Sequence, residues 1–510
     1  MIAKTLVATL FLSSVALATD STTNGLAGSF DVSVLEQAKD VYFNEVLSLI
    51  NGLVIPDFEQ DKHDYIRQNS LVINSNPQNV EFSVDTANNA LVLTCNDITG
   101  QFVTKEFSVK EFIFIATGLA EVDLNQITLA LGVQFTTQTL ADGRVVPAVE
   151  AVDVVVDINR DDLKFHIHGN IWTDMASVFV PLFKGAILDA VTGAINTALQ
   201  TTAPTLANSF IAKTDAMTQI IPDLYLDWAT AQPFYVTETS LEFGARAILF
   251  DSDFGEQLPA EWPTMPYKDT AQPAQFQAFL SDEAVNAALA SLLEVHPVHG
   301  WLNSTMVPSS APISLTTGYL DKAFKGISAY YGPDQPVNVW ANLTNVYGFT
   351  VTAGDQEVSM NADLSLQFYV ETTNGTTELA VDLTLGSLIA DATILIDGFN
   401  VTGNFTKLKV QNLVVNSCAF GKISTFQLKL ELNVALAVAA GPLNKALNTL
   451  VIPDNVLGIF QLSDLVIDYY DGFLFAGATP TFLAPTITLD DLAHDAAYAM
   501  SHIPEEFLTG

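Results

Sequence analysis

Cations are scarce in this chain. Its 510 residues hold 20 Lys+Arg against 57 Asp+Glu, a formal net charge of −37. Nucleic acid is thereby excluded as a partner, because neutralising phosphates needs a basic footprint. Anionic membrane surfaces are repelled at long range for the same reason. Cysteine is nearly absent too, with only Cys95 and Cys418, one in each half. Two thiols cannot make a disulfide framework. The sequence leaves open whether they cross-link the halves or stay unpaired as small apolar residues. After the first residues no uninterrupted apolar run reaches the ~18 positions of a spanning helix. Signatures of covalent or cofactor chemistry are also missing: no G-x-S-x-G, H-E-x-x-H, P-loop or G-x-G-x-x-G. The expectation is a protein that is not an enzyme, with no cofactor and no metal.

Apolar residues are abundant instead, 49% of the chain, with a mean hydropathy of +0.30. Stability must therefore come from burial. Residues 1–18 read as a secretory signal peptide: Lys4, an apolar stretch through Leu12, and the small-residue site Ala16-Leu17-Ala18. The mature chain is expected to be secreted and extracellular. Its length exceeds one ordinary core and predicts two domains of about 200–250 residues each.

The order of elements repeats. Residues 32–57 hold Val34, Ala38, Val41, Tyr42, Val46, Leu49, Ile50 and Leu53 at helical spacing and end in "INGLVIPD". Alternating strands follow over about 63–172, with turns expected at Asn88-Asn89, Thr99-Gly100 and Asp142-Gly143. A long apolar helix then starts near Met175 and leads to "MTQIIPD" at 217–223. Four prolines within 258–273 predict an extended linker rather than a packed element. Beyond it come a helix ("AQFQAFLSDEAVNAALASLLEV"), a strand meander over about 312–432 that includes "STFQLKLELNVAL", and a long helix broken at Gly441-Pro442. That helix ends in "LNTLVIPD", and a closing strand pair follows. The I-P-D phrase marks helix exits: Pro forbids further helix, and Asp can bond backbone amides in the turn.

On these segments the chain resembles the lipid-binding serum glycoproteins, the family of bactericidal/permeability-increasing protein, lipopolysaccharide-binding protein, and the cholesteryl ester and phospholipid transfer proteins. The resemblance is carried by "IPDF" at the first helix exit, "KFHIHGNIWTDMASVFVPLFKGAILDAVTGAIN", the midpoint linker and "FQLSDLVIDYYDGFLFAGA". It implies an α+β fold of two pseudo-symmetric antiparallel β-barrels, each wrapped around a long helix and joined by a central sheet into a boomerang. The expected units are 19–257 and 274–482, each a lipid-binding barrel, separated by the Pro-rich linker 258–273 and followed by an amphipathic tail, 483–510.

Two departures bear on ligand choice. The cysteine pair that staples the first barrel in many members is missing. The basic tip of the lipopolysaccharide binders is missing as well: residues 81–172 offer only Lys105, Lys110, Arg144, Arg160 and Lys164. Phospholipid or another neutral or zwitterionic lipid is therefore the expected partner, met at a membrane or lipid-particle surface. The alternatives are a defence protein binding microbial lipid such as lipopolysaccharide, or an extracellular structural protein with filled barrels.

A sheet curled round a helix leaves a tube whose apolar side chains could line a lipid pocket. The candidate lining residues are Leu35, Tyr42, Val46, Ile50 and Leu53 from the first helix. Phe179, Leu182, Phe183, Ile187, Val191 and Ile195 come from the long one. Phe279, Val285, Leu289, Leu292, Leu443 and Leu447 are their counterparts in the second half.

Asn303, Asn342, Asn374, Asn400 and Asn404 begin N-x-S/T sequons, all in the second half, and are candidate glycosylation sites. His166 and His168 share a strand face at zinc-capable spacing, but no Cys or third His stands near to complete a site. In the tail, Thr488 and Asp491 form a capping pattern before an apolar face of Leu489, Leu492, Ala493, Ala496, Met500 and Ile503.

Overall fold

Two strands that each run straight into a helix lie side by side at the centre of the molecule. Leu26–Asp31 pairs antiparallel with Phe276–Ser281, setting Gly28 opposite Ala278 and Phe30 opposite Phe276. Helix α1 (Val32–Asn51) follows the first strand. The computed structural model describes residues 25–483 except 112–113, 170–175, 206, 209–216, 222–223, 228, 231–232, 252–263, 296, 306–313, 398–399, 434–435, 437–443, 445–454 and 457–459. The architecture is mostly β, with few helices and with sheets that curl.

The sheet containing that strand pair has seven strands. Their order is Tyr235–Val236, Ser240–Ala245, Leu26–Asp31, Phe276–Ser281, Phe473–Phe482, Phe460–Tyr470 and Asn455–Val456. Both halves of the sequence thus contribute to one hydrogen-bonded layer. Gly28 makes the close approach possible: a Cβ there would lie 2.2 Å from the Gln277 carbonyl oxygen and 2.5 Å from the Phe243 ring. Phe30, its neighbour on the same strand face, stacks between Phe243 and Phe276 at 5.5 and 4.9 Å.

The end of the midpoint linker is fastened to this sheet. Buried Gln277 donates from Nε2 to the carbonyls of Asp269, Gln272 and Ala274 at 3.0, 3.2 and 3.3 Å, and accepts from the Asp269 amide at 2.6 Å. Met265 is buried as well. The segment from 264 to the strand is therefore packed rather than free, and it turns at Thr270-Ala271, where the Gln272 amide donates to the Asp269 carbonyl at 3.2 Å. One glutamine supplies the partners that a free linker would take from water.

The first meander runs from Tyr65 to Gly169. Its strands include Ala90–Glu111 and Phe114–Thr139, of 22 and 26 residues. At about 3.3 Å per residue each exceeds 70 Å, too long to stay straight in a twisted sheet. Register shifts at Cys95/Ile98, Ile98/Gly100 and Thr104/Phe107 mark where the pair bends. Turns form at Asn88-Asn89 and Asp142-Gly143 as the sequence suggests. No turn forms at Thr99-Gly100. The chain there continues through a bulge, with Asp97 at φ +52° and Gly100 close under the Val72 carbonyl. Glycine in a strand serves close backbone approach as readily as reversal.

Helix α2 (Ala176–Thr197) lies in the curl of this meander. Helix α3 (Asp282–Val295) begins only after the strand Phe276–Ser281, so the helix expected over the whole segment starts later. Burial alternates along "FQAFLS", with Gln277, Phe279 and Ser281 inward, and the helical period begins at the acidic first turn Asp282-Glu283. The second meander is a five-stranded sheet in sequence order, from His299–Leu302 through Val337–Thr352, Glu357–Glu371 and Thr377–Asp397 to Asn400–Cys418. Residues 425–433, expected as a strand, are helical. Phe426, Leu428, Leu430 and Leu432 fit both periods. Burial decides: Leu428 is fully buried and Leu432 and Leu436 pack against the same core, while Phe426 is 82% exposed. Cys95 and Cys418 are both free and belong to different sheets. The two halves are held by strand pairing rather than by a cross-link.

Asp282 opens α3 at the seam between the central sheet and the second meander. Its amide donates to the Gly472 carbonyl at 3.0 Å, and its carboxylate accepts from the Val351 amide at 3.4 Å. Burial pushes its pKa up to about 6. The folded state then holds this proton more tightly than the unfolded chain, so stability falls as pH rises from about 4 to about 6.

Two outcomes follow. Asp282→Asn should flatten the stability profile across that window and raise stability at pH 7 by on the order of 2 kcal/mol. Urea unfolding at stepped pH reads this, and an unchanged slope would contradict it. Gly28→Ala should lower stability by about 3 kcal/mol, the upper range for overpacking. A thermal midpoint equal to wild type would refute the tight crossing.

Candidate functional site

Helix α2 carries the interior of the first half. Phe179, Phe183, Ile187, Val191 and Ile195 follow at every fourth position, and each is at most 1% exposed. Four-residue spacing places them on one slowly drifting stripe, which turns into the sheet. Phe107 meets Phe179 edge-on at 4.7 Å, and Phe165 meets it at 6.4 Å. Phe58 closes on Phe183 at 6.1 Å. Ile66, Leu71, Phe102, Val122 and Ile127 complete the sheet side, while Leu47 and Ile50 of α1 cover the flank. Each such side chain contributes about 1.5–3 kcal/mol on full burial.

The expected lining residues divide in the structure. Ile50, Phe179, Phe183, Ile187, Val191 and Ile195 share this core, with Leu53 and Leu182 half-buried at its border. Leu35 belongs elsewhere, packed with Phe30, Phe135, Val146 and Phe234 where the meander meets the central sheet. The side chains of Tyr42 and Val46, and residues Leu443 and Leu447, lie outside the described residues. So does the tail beyond 483.

Phe279 is not a helix residue. It sits on a central-sheet strand against Ala27, Met265, Phe473 and Phe475. On α3 the buried positions after Asp282 are Ala284, Ala287 and Ser291, while Val285, Leu289 and Leu292 stay half-exposed. The small residues face inward because α3 lies close against the long strand Val337–Thr352.

The other side of α2 is open. Pro181, Gly185, Asp189, Gly193 and Thr197 are exposed, and a Cβ on Gly185 or Gly193 would meet nothing within 4 Å. Beside them, Ala186, Ala190 and Ala194 are half-exposed. Phe179–Thr205 is long and apolar enough to cross a membrane by length and composition, yet its most apolar stretch is only 33% buried. A core helix with a charged outer face is the usual surface pattern. Here the outer face is small and nearly uncharged. Reading the stripe from sequence finds the buried positions but passes over this second property, which was visible as Gly185, Ala186, Ala190, Gly193 and Ala194.

Four cations of the central sheet and first half are paired with carboxylates, while Lys184 stands half-exposed on α2 itself. Arg67 meets Glu59 at 2.6 Å, Arg144 meets Asp142, Arg246 meets Asp227 at 2.8 Å, and Lys268 meets Asp31 at 3.2 Å. His166 Nε2 lies 3.0 Å from Asp123 Oδ2 on the exposed sheet face. Among the described residues no group of three or more His, Cys, Asp or Glu side chains is placed to hold a metal.

No family model matches the chain, and no curated protein matches it. Among solved structures it is similar to the crystal structure of lipopolysaccharide binding protein, with a TM-score of 0.48 and 15% identity, over 90% of this chain and 99% of that one. It is also similar to Takeout 1 of Epiphyas postvittana, at TM-score 0.24 and 11% identity, over 35% of this chain and 92% of that one. P47 of Clostridium botulinum E1 is a third, at TM-score 0.26 and 8% identity, over 90% and 99%.

Proposed function

We propose that this chain is a secreted, non-enzymatic lipid carrier that takes neutral or zwitterionic phospholipid along the open side of α2, and that its two halves are pseudo-symmetric barrels joined through the central sheet into a boomerang. One observation carries the lipid reading. A 27-residue apolar helix is sealed against a curled sheet on one side and left open, small and nearly uncharged on the other. In water such a face is costly, at about 25 cal/mol for each Å² of apolar surface. Acyl chains laid along it remove that cost, gaining about 0.8 kcal/mol per buried methylene. Glycine and alanine let an alkyl chain approach the helix backbone closely.

The pairing of Leu26–Asp31 with Phe276–Ser281 supports the two-barrel reading. Equivalent strands running antiparallel, each feeding a helix, are what a local two-fold axis produces. Charge supports the choice of lipid. Polyphosphorylated lipid A needs several converging cations, whereas Arg67, Arg144 and Arg246 are each bound to a carboxylate. Transfer between membranes would need only a favourable groove and an accessible mouth, without covalent chemistry.

The test is organic extraction and native mass spectrometry of the protein purified from a secretory host. Phospholipid should be present at one or more molecules per chain, and lipopolysaccharide should not displace it at physiological salt. Gly185→Glu combined with Gly193→Glu places charge in open space on the helix. The pair should leave the thermal midpoint within a few degrees and cut bound lipid at least five-fold. Lipid-free protein, or a double variant that retains its full lipid load, would overturn the assignment.

A further inference from the structure

Trp301, on the short edge strand His299–Leu302, lies directly opposite Trp340 on Val337–Thr352, with ring centroids 5.2 Å apart. Tyr369 closes on Trp301 at 5.3 Å, and His299 leans on Trp340 at 4.9 Å. These rings lie on the outer face of the second sheet. Val337 and Val339 are buried in its core and Ala341 packs on that core, so Asn338, Trp340 and Asn342 point the other way. Trp301 is 47% exposed. An indole left half in water on a sheet face, against a second indole and a tyrosine, is unusual and calls for an occupant.

The register supplies one. Asn342 opens the sequon Asn342-Leu343-Thr344, stands two residues beyond Trp340 on the same face, and pairs across the ladder with His299. No bulge interrupts Trp340–Asn342. We propose that the Trp301–Trp340–Tyr369 platform is the seat of an N-linked glycan carried by Asn342. The proposal rests on passage through the secretory pathway, as the carrier reading does. In the attachment step the Asn342 amide nitrogen bonds to the anomeric carbon of a polyprenyl-pyrophosphate oligosaccharide. The bond from that carbon to the pyrophosphate breaks, the lipid pyrophosphate leaves, and one amide proton is released.

The first N-acetylglucosamine residues then lie beside the rings. The C–H face of a pyranose matches the negative face of an indole, as a cation does but more weakly. Hydroxyls at the sugar edge meet a polar row continuing across the sheet. Tyr369 donates to Gln367 at 2.9 Å, Gln367 to Asp382 at 3.2 Å, and Asn416 to Asp382 at 2.8 Å. A glycan laid there also covers the edge strand, whose free backbone groups would otherwise template pairing with another chain.

Asn374 is the internal control, since its sequon lies on an exposed turn between two strands of the same sheet. Glycopeptide mapping of the protein from a eukaryotic secretory host should find Asn342 occupied. Under native conditions, peptide N-glycosidase should release the Asn342 glycan at least ten-fold more slowly than that of Asn374. Trp301→Ser, checked for an unchanged thermal midpoint, should bring the two rates together. A vacant Asn342 with Asn374 filled overturns the seat while leaving secretion standing; both vacant overturns both. Equal release rates in the wild type, or slow release that Trp301→Ser does not change, also refute the seat. Chito-oligosaccharide bound by the rings of protein vacant at Asn342 would assign them to an external sugar instead.

Discussion

The stripe from Phe179 to Ile195 can be buried only because the sheet in front of it bends. A flat antiparallel sheet would touch a 22-residue helix along one line and leave most of each side chain wet. The first meander instead wraps, and it wraps where its long strands slip register near Cys95, Gly100 and Thr104. Each bulge adds local twist to the strand that carries it. The curl and the apolar stripe are thus one constraint seen from two sides. Without the stripe the inner face of the sheet would have no cover, and without the bulges the stripe would have no wall.

A chain whose two cysteines are free has to tie its two meanders together by other means. The central sheet does this with ordinary ladder bonds between strands that are nearly 250 residues apart in sequence. Close approach at Gly28 and the four hydrogen bonds of Gln277 fix that joint, and Asp282 fixes the start of α3 beside it. Such contacts are long-range in the chain, so their entropy cost falls early in folding and their stabilisation arrives late. Mutations at the joint are therefore expected to act on both halves together.

Much of this was legible from residue order. Two helix–meander repeats, the closing strand pair and the buried stripe of α2 all follow from period and punctuation. What escaped has a common cause: period is ambiguous in short apolar runs. Phe276 and Phe279 lie three apart, which fits a helix, yet the pairing of "FQAFLS" beside Leu26–Asp31, with Gln277, Phe279 and Ser281 turned inward, makes it a strand. Leu428 and Leu432 satisfy both a strand and a helix, and only the core on one side of 425–433 selects the helix. Thr99-Gly100 looks like a reversal, but glycine reports only that a side chain would not fit. In each case a neighbour distant in sequence made the choice.

Helix α2 buries one face and leaves the other open, and that difference bears on the proposed ligand. A helix whose outer face carried lysines and glutamates would be complete in water. Along Gly185, Ala186, Ala190, Gly193 and Ala194 nothing among the described residues completes it, and on the exposed line of Pro181, Gly185, Asp189, Gly193 and Thr197 the one formal charge is Asp189. A macromolecular partner would normally be held there by aromatic or arginine anchors set in matching pockets, and this face has neither. A fluid alkyl chain needs no such anchors, only length, apolarity and access to the helix backbone. On the proposed carrier reading, the surplus of carboxylates favours a headgroup without net charge, because a molecule with a net charge of −37 approaches an anionic lipid surface against its own field. An acidic exterior and a nearly uncharged helix face are thus complementary demands, and the lipid proposed above, without net charge, meets both.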